Sequence, residues 1–74
     1  MIAPQEIQSR ILKAIPGAEV TVQDLTGGGD HFQVIVVASA FQGKNRIEQH
    51  QMVHAALGGL GDEIHALTIK TIAS

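Results

Sequence analysis

The side chains best suited to chemistry in this sequence are its four histidines, His31, His50, His54 and His65. Three of them fall within residues 41–67, and the chain contains no cysteine. Without cysteine, the chain supplies no disulfide, no thiolate zinc site and no cysteine nucleophile. Neutral imidazole is a common metal ligand, so metal binding is the first chemistry to consider.

The histidines differ in how their surroundings fit a metal site. His50 and His54 are four residues apart, a spacing that places two side chains on one face of a helix. A zincin site requires a glutamate directly after the first histidine, and Gln51 stands there. We therefore expect His50 to be a packed core residue and His54 a surface residue. At the start of a predicted strand, His65 is either structural or a ligand.

Two glycine-rich stretches have the composition of phosphate-binding loops. Residues 58–61 read Gly-Gly-Leu-Gly and fit the GXXG loop of KH domains, but the acidic Asp62 and Glu63 follow. Residues 27–29 are glycines between two predicted strands, whereas a phosphate-binding loop opens into a helix. The sequence favours a helix end at 58–61 and a hairpin loop at 27–29.

Size and charge narrow the classes of function. A chain of 74 residues fits one domain, residues 1–74, which is too small for a large enclosed active-site cavity. No serine, histidine and carboxylate set has the spacing of a catalytic triad, so hydrolytic catalysis has no positive support. The formal net charge is −2 and the basic residues are scattered, which argues against strong binding of nucleic acid.

The same sequence lacks the patterns of membrane and exported proteins. No apolar run approaches the roughly 18 residues of a membrane span, and the N-terminus does not read as a signal peptide. We therefore expect a cytoplasmic protein that does not bind membranes.

Hydrophobic periodicity predicts the elements that position these residues. A helix begins at Pro4 and ends at Pro16-Gly17, with one apolar stripe formed by Ile7, Ile11, Ala14 and Ile15. Residues 18–25 alternate as a half-exposed strand. Residues 31–38 are apolar on both alternating sets, which indicates a strand covered on both faces or nearly so.

The second half of the chain predicts a further helix and strand. Asn45 and Glu48 have the spacing of a capping box, and a helix of about 13 residues follows with an apolar face formed by Ile47, His50, Val53, Ala56 and Leu57. A short second helical turn closes at Asp62-Glu63. Residues 64–72 form the last strand, with His65, Leu67, Ile69 and Thr71 on one face. The order α-β-β-α-(α)-β predicts an α+β domain with a three-stranded sheet under helices.

One long motif spans residues 41–71. It reads Phe-x-Gly-Lys-x-Arg-Ile-x-Gln-His-Gln-Met-Val-x-x-Ala-Leu over residues 41–57 and Ile-His-Ala-Leu-x-Ile-Lys-Thr over residues 64–71. Upstream, Val22-x-Asp24-Leu25 and a glycine-rich loop precede Asp30-His31-Phe32. In these residues and in its element order the chain resembles the BolA family over nearly its whole length.

This resemblance implies a fold similar to that of class II KH domains and a role as partner of a monothiol glutaredoxin in iron–sulfur cluster handling or iron homeostasis. In such pairs a [2Fe-2S] cluster is shared. The glutaredoxin cysteine and a glutathione thiol hold one side, and the BolA-like protein supplies a histidine near the start of its last strand. That position corresponds to His65. Lacking cysteine, this chain would not bind the cluster alone.

The resemblance also implies a second ligand from the loop between the first two strands. Family members have a histidine or cysteine there, whereas residues 26–30 of this chain read Thr-Gly-Gly-Gly-Asp. His31, at the end of the loop, is the candidate substitute. Three alternatives to His31 remain: ligation by Asp30, ligation by an exogenous group, and a complex without a cluster. The expected glutaredoxin surface includes Lys44, Arg46 and Lys70.

Two further functions are compatible with the sequence. Some members of the family are described as transcriptional regulators, which would make the helix–turn–helix-like residues 45–63 a DNA reader, with weak binding expected from the net charge. A homodimer formed through an exposed strand edge is the other candidate.

Overall fold

The computed structural model of this protein describes residues 3–28, 31–63 and 66–74. Its helices and strands follow one another in this order: α1 (Pro4–Ala14), β1 (Glu19–Asp24), β2 (His31–Ala38), α2 (Arg46–Leu57) and β3 (Ala66–Ala73). Two 3₁₀ segments, Ser39–Phe41 and Gly58–Glu63, flank α2. The predicted α-β-β-α-(α)-β order and α+β class are confirmed. In the described ranges, no helix combines the length and apolar character that crossing a membrane requires.

Strand β2 is the centre of the three-stranded sheet. It pairs antiparallel with β1 and parallel with β3. In the parallel pair, His31 is the register partner of Ala66, and Ile35 is that of Lys70. Parallel neighbours need a crossover connection, which α2 and its flanking segments supply. Strands β1 and β3 are therefore the two edges of the described sheet.

Both helices pack on one face of this sheet. Alternate residues of β2 are buried, and they form one core cluster with Ile7 and Ile11 of α1 and with Val53 and Leu57 of α2. On the opposite face Ile35 and Val37 are only half-buried. The expected cover on both faces of β2 is thus not found among the described residues. These two side chains are shielded by the flanking strands, so an apolar residue there does not require a second layer.

Helix α1 follows the predicted stripe with one exception. Ile7, Ile11 and Ile15 are buried, but Ala14 is exposed. The helix is tied to α2 by Arg10, whose Nη1 donates to the backbone carbonyl of Leu57 at 3.1 Å. That carbonyl lies in the last turn of α2, where carbonyls lack helical partners and a cation is favoured by the helix dipole. Arg10 therefore stabilises the end of α2 as well as its packing.

The apolar face of α2 differs from the predicted one. Val53 and Leu57 are buried, whereas Ile47 is 70% exposed. At about 100° per residue, Ile47 lies about 120° around the helix from Val53. The buried stripe instead runs from the half-buried Gln49 to Val53 and Leu57. The prediction failed because each step of three residues from Ile47 to Val53 rotates the side chain by about 60° around the helix.

Asn45 caps α2 as predicted. The backbone N–H of Glu48 donates to Asn45 Oδ1 at 2.8 Å, and the backbone N–H of Asn45 donates to Glu48 Oε1 at 3.2 Å. Two amides that have no helical partner are thereby satisfied. The cap fixes where α2 starts and hence where Arg46, its first residue, stands.

The side chain of Gln49 joins three parts of the molecule. Its Nε2 donates to the carbonyls of Lys44 at 2.9 Å and of Phe41 at 3.2 Å. Its Oε1 accepts a hydrogen bond from the Thr71 hydroxyl at 2.6 Å. One amide therefore holds the loop before α2, the helix itself and β3 in fixed relation.

We expect Asn45→Ala to lower the free energy of unfolding by about 1 kcal/mol, because the amide of Glu48 loses its acceptor. Urea unfolding followed by circular dichroism measures the change. Gln51→Ala, an exposed position of the same helix, is the control and should change stability by less than about 0.5 kcal/mol. Equal effects of the two substitutions would contradict the role of the cap.

We expect Gln49→Leu to lower the free energy of unfolding by about 1–3 kcal/mol, because two carbonyls and one hydroxyl lose a partner in a half-buried site. Thr71→Val removes only one of the three hydrogen bonds and should cost less. Adding Thr71→Val to Gln49→Leu should cost less than the sum of the two single effects. Additive losses would show that the hydroxyl and the amide do not interact.

Candidate metal and partner site

The predicted ligand His31 is the first residue of β2. Its carbonyl accepts a hydrogen bond from the backbone N–H of Leu25 at 2.8 Å, which closes the β1–β2 loop. The side chain is half-buried and alternates with Phe32, so it lies on the sheet face that the helices leave uncovered. A histidine at the start of a central strand has a fixed backbone, as a ligand requires.

His65, the main predicted ligand, lies outside the described residues. The residue that follows it in the sequence is Ala66, the first residue of β3 and the register partner of His31. Within residues 3–28, 31–63 and 66–74, no group of three or more histidine, cysteine, aspartate or glutamate side chains is placed to hold a metal ion.

The glycine-rich loop between β1 and β2 is held by Asp24. Its Oδ1 accepts hydrogen bonds from the backbone N–H groups of Gly27 at 2.9 Å and Thr26 at 3.3 Å. Gly27 has a φ of +78°, a conformation that glycine adopts without steric cost. Two of the amides that a phosphate-binding loop would offer are therefore bound to a carboxylate, which supports the hairpin-loop interpretation. Asp30, considered above as a ligand in place of His31, lies outside the described residues.

Two of the three predicted partner-binding cations meet in one groove. Arg46, at the start of α2, and Lys70, in β3, both line a cavity of about 330 Å³. Lys44 is exposed but does not line this cavity. It is linked to the groove indirectly, because Gln49 binds its carbonyl and also contacts Thr71.

The two histidines of α2 have different surroundings. His50 is half-buried and lines the same groove, one helical turn after Arg46. It is therefore a groove residue and not a fully packed core residue as expected. His54 is exposed, which confirms the predicted surface position.

Sequence reasoning missed Gln49 as the residue that positions the cationic loop. A signal was present, because Gln49, Val53 and Leu57 recur every four residues. A polar side chain on a buried helical stripe needs hydrogen-bond partners. Those partners come from residue 71 and from the loop before α2, which the spacing within one helix does not reveal.

The helix–turn–helix interpretation of residues 45–63 gains no support from the fold. This segment contains α2 followed by a 3₁₀ segment of six residues, Gly58–Glu63. A DNA-reading helix–turn–helix places a second α-helix in the major groove, and this segment supplies none. Residues 58–61 follow directly on the end of α2, as the helix-end interpretation of the GXXG pattern predicted.

Comparison with known proteins gives consistent results. Residues 10–74 match the family model described as BolA-like protein. The chain is 38% identical over 71 residues to Protein BOLA2 of Arabidopsis thaliana, covering 95% of this chain and 76% of that protein. It is 40% identical over 67 residues to the acid stress protein IbaG of Escherichia coli K12, covering 88% of this chain and 76% of that protein.

Solved structures agree with the sequence comparison. The crystal structure of a bol-like protein from Babesia bovis has a TM-score of 0.85 and 25% identity, covering 97% of this chain and 85% of that chain. Membership of one family explains the motif over residues 41–71, the order of elements and the parallel pairing of β2 with β3. The chain belongs to the BolA-like family.

Proposed function

We propose that this protein is a non-enzymatic adaptor that binds a monothiol glutaredoxin and co-ligates a [2Fe-2S] cluster in iron–sulfur cluster trafficking or iron homeostasis. His65 is the main ligand and His31 the second. The observation that carries the proposal is the parallel register of β2 and β3. It pairs His31 with Ala66, the residue directly after His65.

This register places His31 beside Ala66, the residue that follows His65 in the sequence. Paired strands lie about 4.8 Å apart, and covalent geometry keeps neighbouring Cα atoms about 3.8 Å apart. These two spacings support the proposal that both histidines ligate one small cluster, although 34 positions separate them in the sequence.

The donor set of this chain fits a shared cluster. A [2Fe-2S] cluster takes four ligands, and thiolates are the usual ones. This chain has no cysteine, and its described residues offer no group of three metal-binding side chains. Two histidines from this chain leave two positions for thiolates, which the glutaredoxin cysteine and glutathione would supply.

Histidine ligands would give the shared cluster properties that thiolates do not. Replacing thiolate by imidazole raises the reduction potential. Imidazole binds metal only when the coordinating nitrogen is deprotonated, so ligation responds to pH. An adaptor with histidine ligands therefore suits release or sensing of a cluster better than permanent storage.

The cationic surface supports binding to a protein partner. Arg46 and Lys70 line one groove, and Lys44 stands on the loop that Gln49 fixes. Although the chain has a formal charge of −2, this local positive patch would attract an acidic surface of the partner and orient it for binding.

We expect titration of a cluster-bearing, glutathione-loaded monothiol glutaredoxin with this protein to change the visible absorption and circular dichroism of the cluster. His65→Ala should abolish the change, because the cluster loses its main imidazole ligand. His31→Ala should weaken or alter it. Binding measured by calorimetry separates loss of a ligand from loss of the complex.

His54→Ala is the matched control, since His54 is an exposed histidine on α2 that the proposal does not use as a ligand. It should behave as the wild type. A wild-type protein that neither binds the glutaredoxin nor changes its spectrum would overturn the proposal. A steeply salt-dependent shift of a DNA probe by the same sample would then favour the regulator interpretation.

A further inference from the structure

The groove between α2 and β3 has the shape and charge of a peptide-binding site. Its volume is about 330 Å³, and it is lined by Arg46 and His50 of α2 and by Ile69, Lys70, Thr71 and Ile72 of β3. The four lining residues of β3 are consecutive. Because successive residues of a strand point to opposite faces, a groove that touches all four must run along the edge of the strand.

That edge has no neighbouring strand in the described part of the chain. Strand β3 is paired with β2 only, on its opposite side. An edge strand presents backbone N–H and C=O groups that can pair with a further chain. An extended peptide placed in the groove would therefore lie within reach of these groups, and backbone pairing of this kind provides affinity in strand addition.

The groove carries a cation on each side of the strand edge. Thr71 contacts Gln49 on the helix side, so Lys70 points to the uncovered face. Arg46 approaches from α2 on the helix side. None of the lining residues named above is acidic. Glu48, the described acid nearest in sequence to Arg46, accepts a hydrogen bond from the Asn45 amide at the helix cap.

We propose that this groove binds an extended acidic segment of a partner protein as a fourth strand along β3. Side chains of an added strand alternate between faces, so two successive acidic residues would meet Arg46 on one face and Lys70 on the other. The inference rests on the proposed function and deepens it, because it assigns a binding mode to the cationic partner surface.

The dimensions fit a short segment. Four strand residues span about 13 Å, the length of the lining residues 69–72. Ile72, which is 50% exposed, offers an apolar contact beside Lys70. The recognised sequence would therefore combine two neighbouring acidic residues with β-branched flanks, which also favour the extended conformation.

A second copy of this chain is a poorer occupant of the groove. Antiparallel pairing of β3 with itself would bring Lys70 and Arg46 of one copy near the same cations of its partner. Like charges placed opposite one another across a strand pair are destabilising. Charge complementarity thus favours an acidic partner over self-association.

The test is a nuclear magnetic resonance titration of the isotope-labelled protein with the peptide acetyl-Thr-Val-Glu-Glu-Val-Thr-amide. We expect saturable shifts of the backbone amides of residues 69–72. The same peptide with glutamine in place of both glutamates should bind about tenfold more weakly. N-methylation of the alternate peptide amides that face β3 should abolish binding, because an added strand pairs through those N–H groups.

Charge reversal makes the test specific. Arg46→Glu and Lys70→Glu should each weaken binding about three- to tenfold, and the double variant should bind the corresponding Lys-Lys peptide instead. An acidic residue at the first position of a helix is favoured by the helix dipole, so Arg46→Glu should keep the fold. Lys13→Glu, the same change of charge at an exposed position of α1, should leave peptide affinity unchanged.

Three results would overturn the inference. The first is equal affinity for the glutamate and glutamine peptides. The second is a shift of the amides of residues 69–72 that depends on protein concentration in the absence of peptide. The third is binding of a thymidine oligonucleotide but not of the peptide. The second would indicate a homodimer and the third a nucleic-acid groove. Because no glutaredoxin or cluster is present, failure here leaves the glutaredoxin titration as an independent test.

Discussion

Burial of alternate residues of β2 under two helices is the constraint on which the rest of this structure depends. Phe32, Val34 and Val36 are fully buried, and in a chain this small such contacts supply most of the stability available. Once this face is covered, the register of β2 with its neighbours is fixed, because a slip of one residue would turn the core residues to solvent. The positions of His31, Lys70 and the groove all follow from that register.

Most of the fold could be predicted from local patterns in the sequence. Strand β2 occupies the expected residues 31–38, and the capping box at Asn45 is present. These signals are local, since each depends on residues within one element. Ile47 was mispredicted because the buried face of a helix is decided by what packs against it, and none of the described elements covers this residue in the first turn of α2.

The site was less accessible from sequence than the fold. His31 and His65 could be named as candidate ligands, and Arg46 and Lys70 as parts of one partner surface, but the groove that the two cations line could not be predicted. It combines Arg46 with Lys70, which are 24 residues apart and belong to different elements. Gln49 was missed for the same reason, because its three partners lie in a loop and a strand that only the tertiary fold brings together. Spacing within one element carries no information about such junctions.

The parallel pairing of β2 with β3 also determines when the protein becomes competent to bind. Its contacts join residues about 35 positions apart, so a long loop must close before they form, and such non-local pairings form slowly. One edge of the groove and the residue paired with His31 both belong to β3, which follows the other described elements in the sequence. A polypeptide emerging from the ribosome would therefore present neither feature until β3 had docked on β2, and a chain without β3 could not capture a partner.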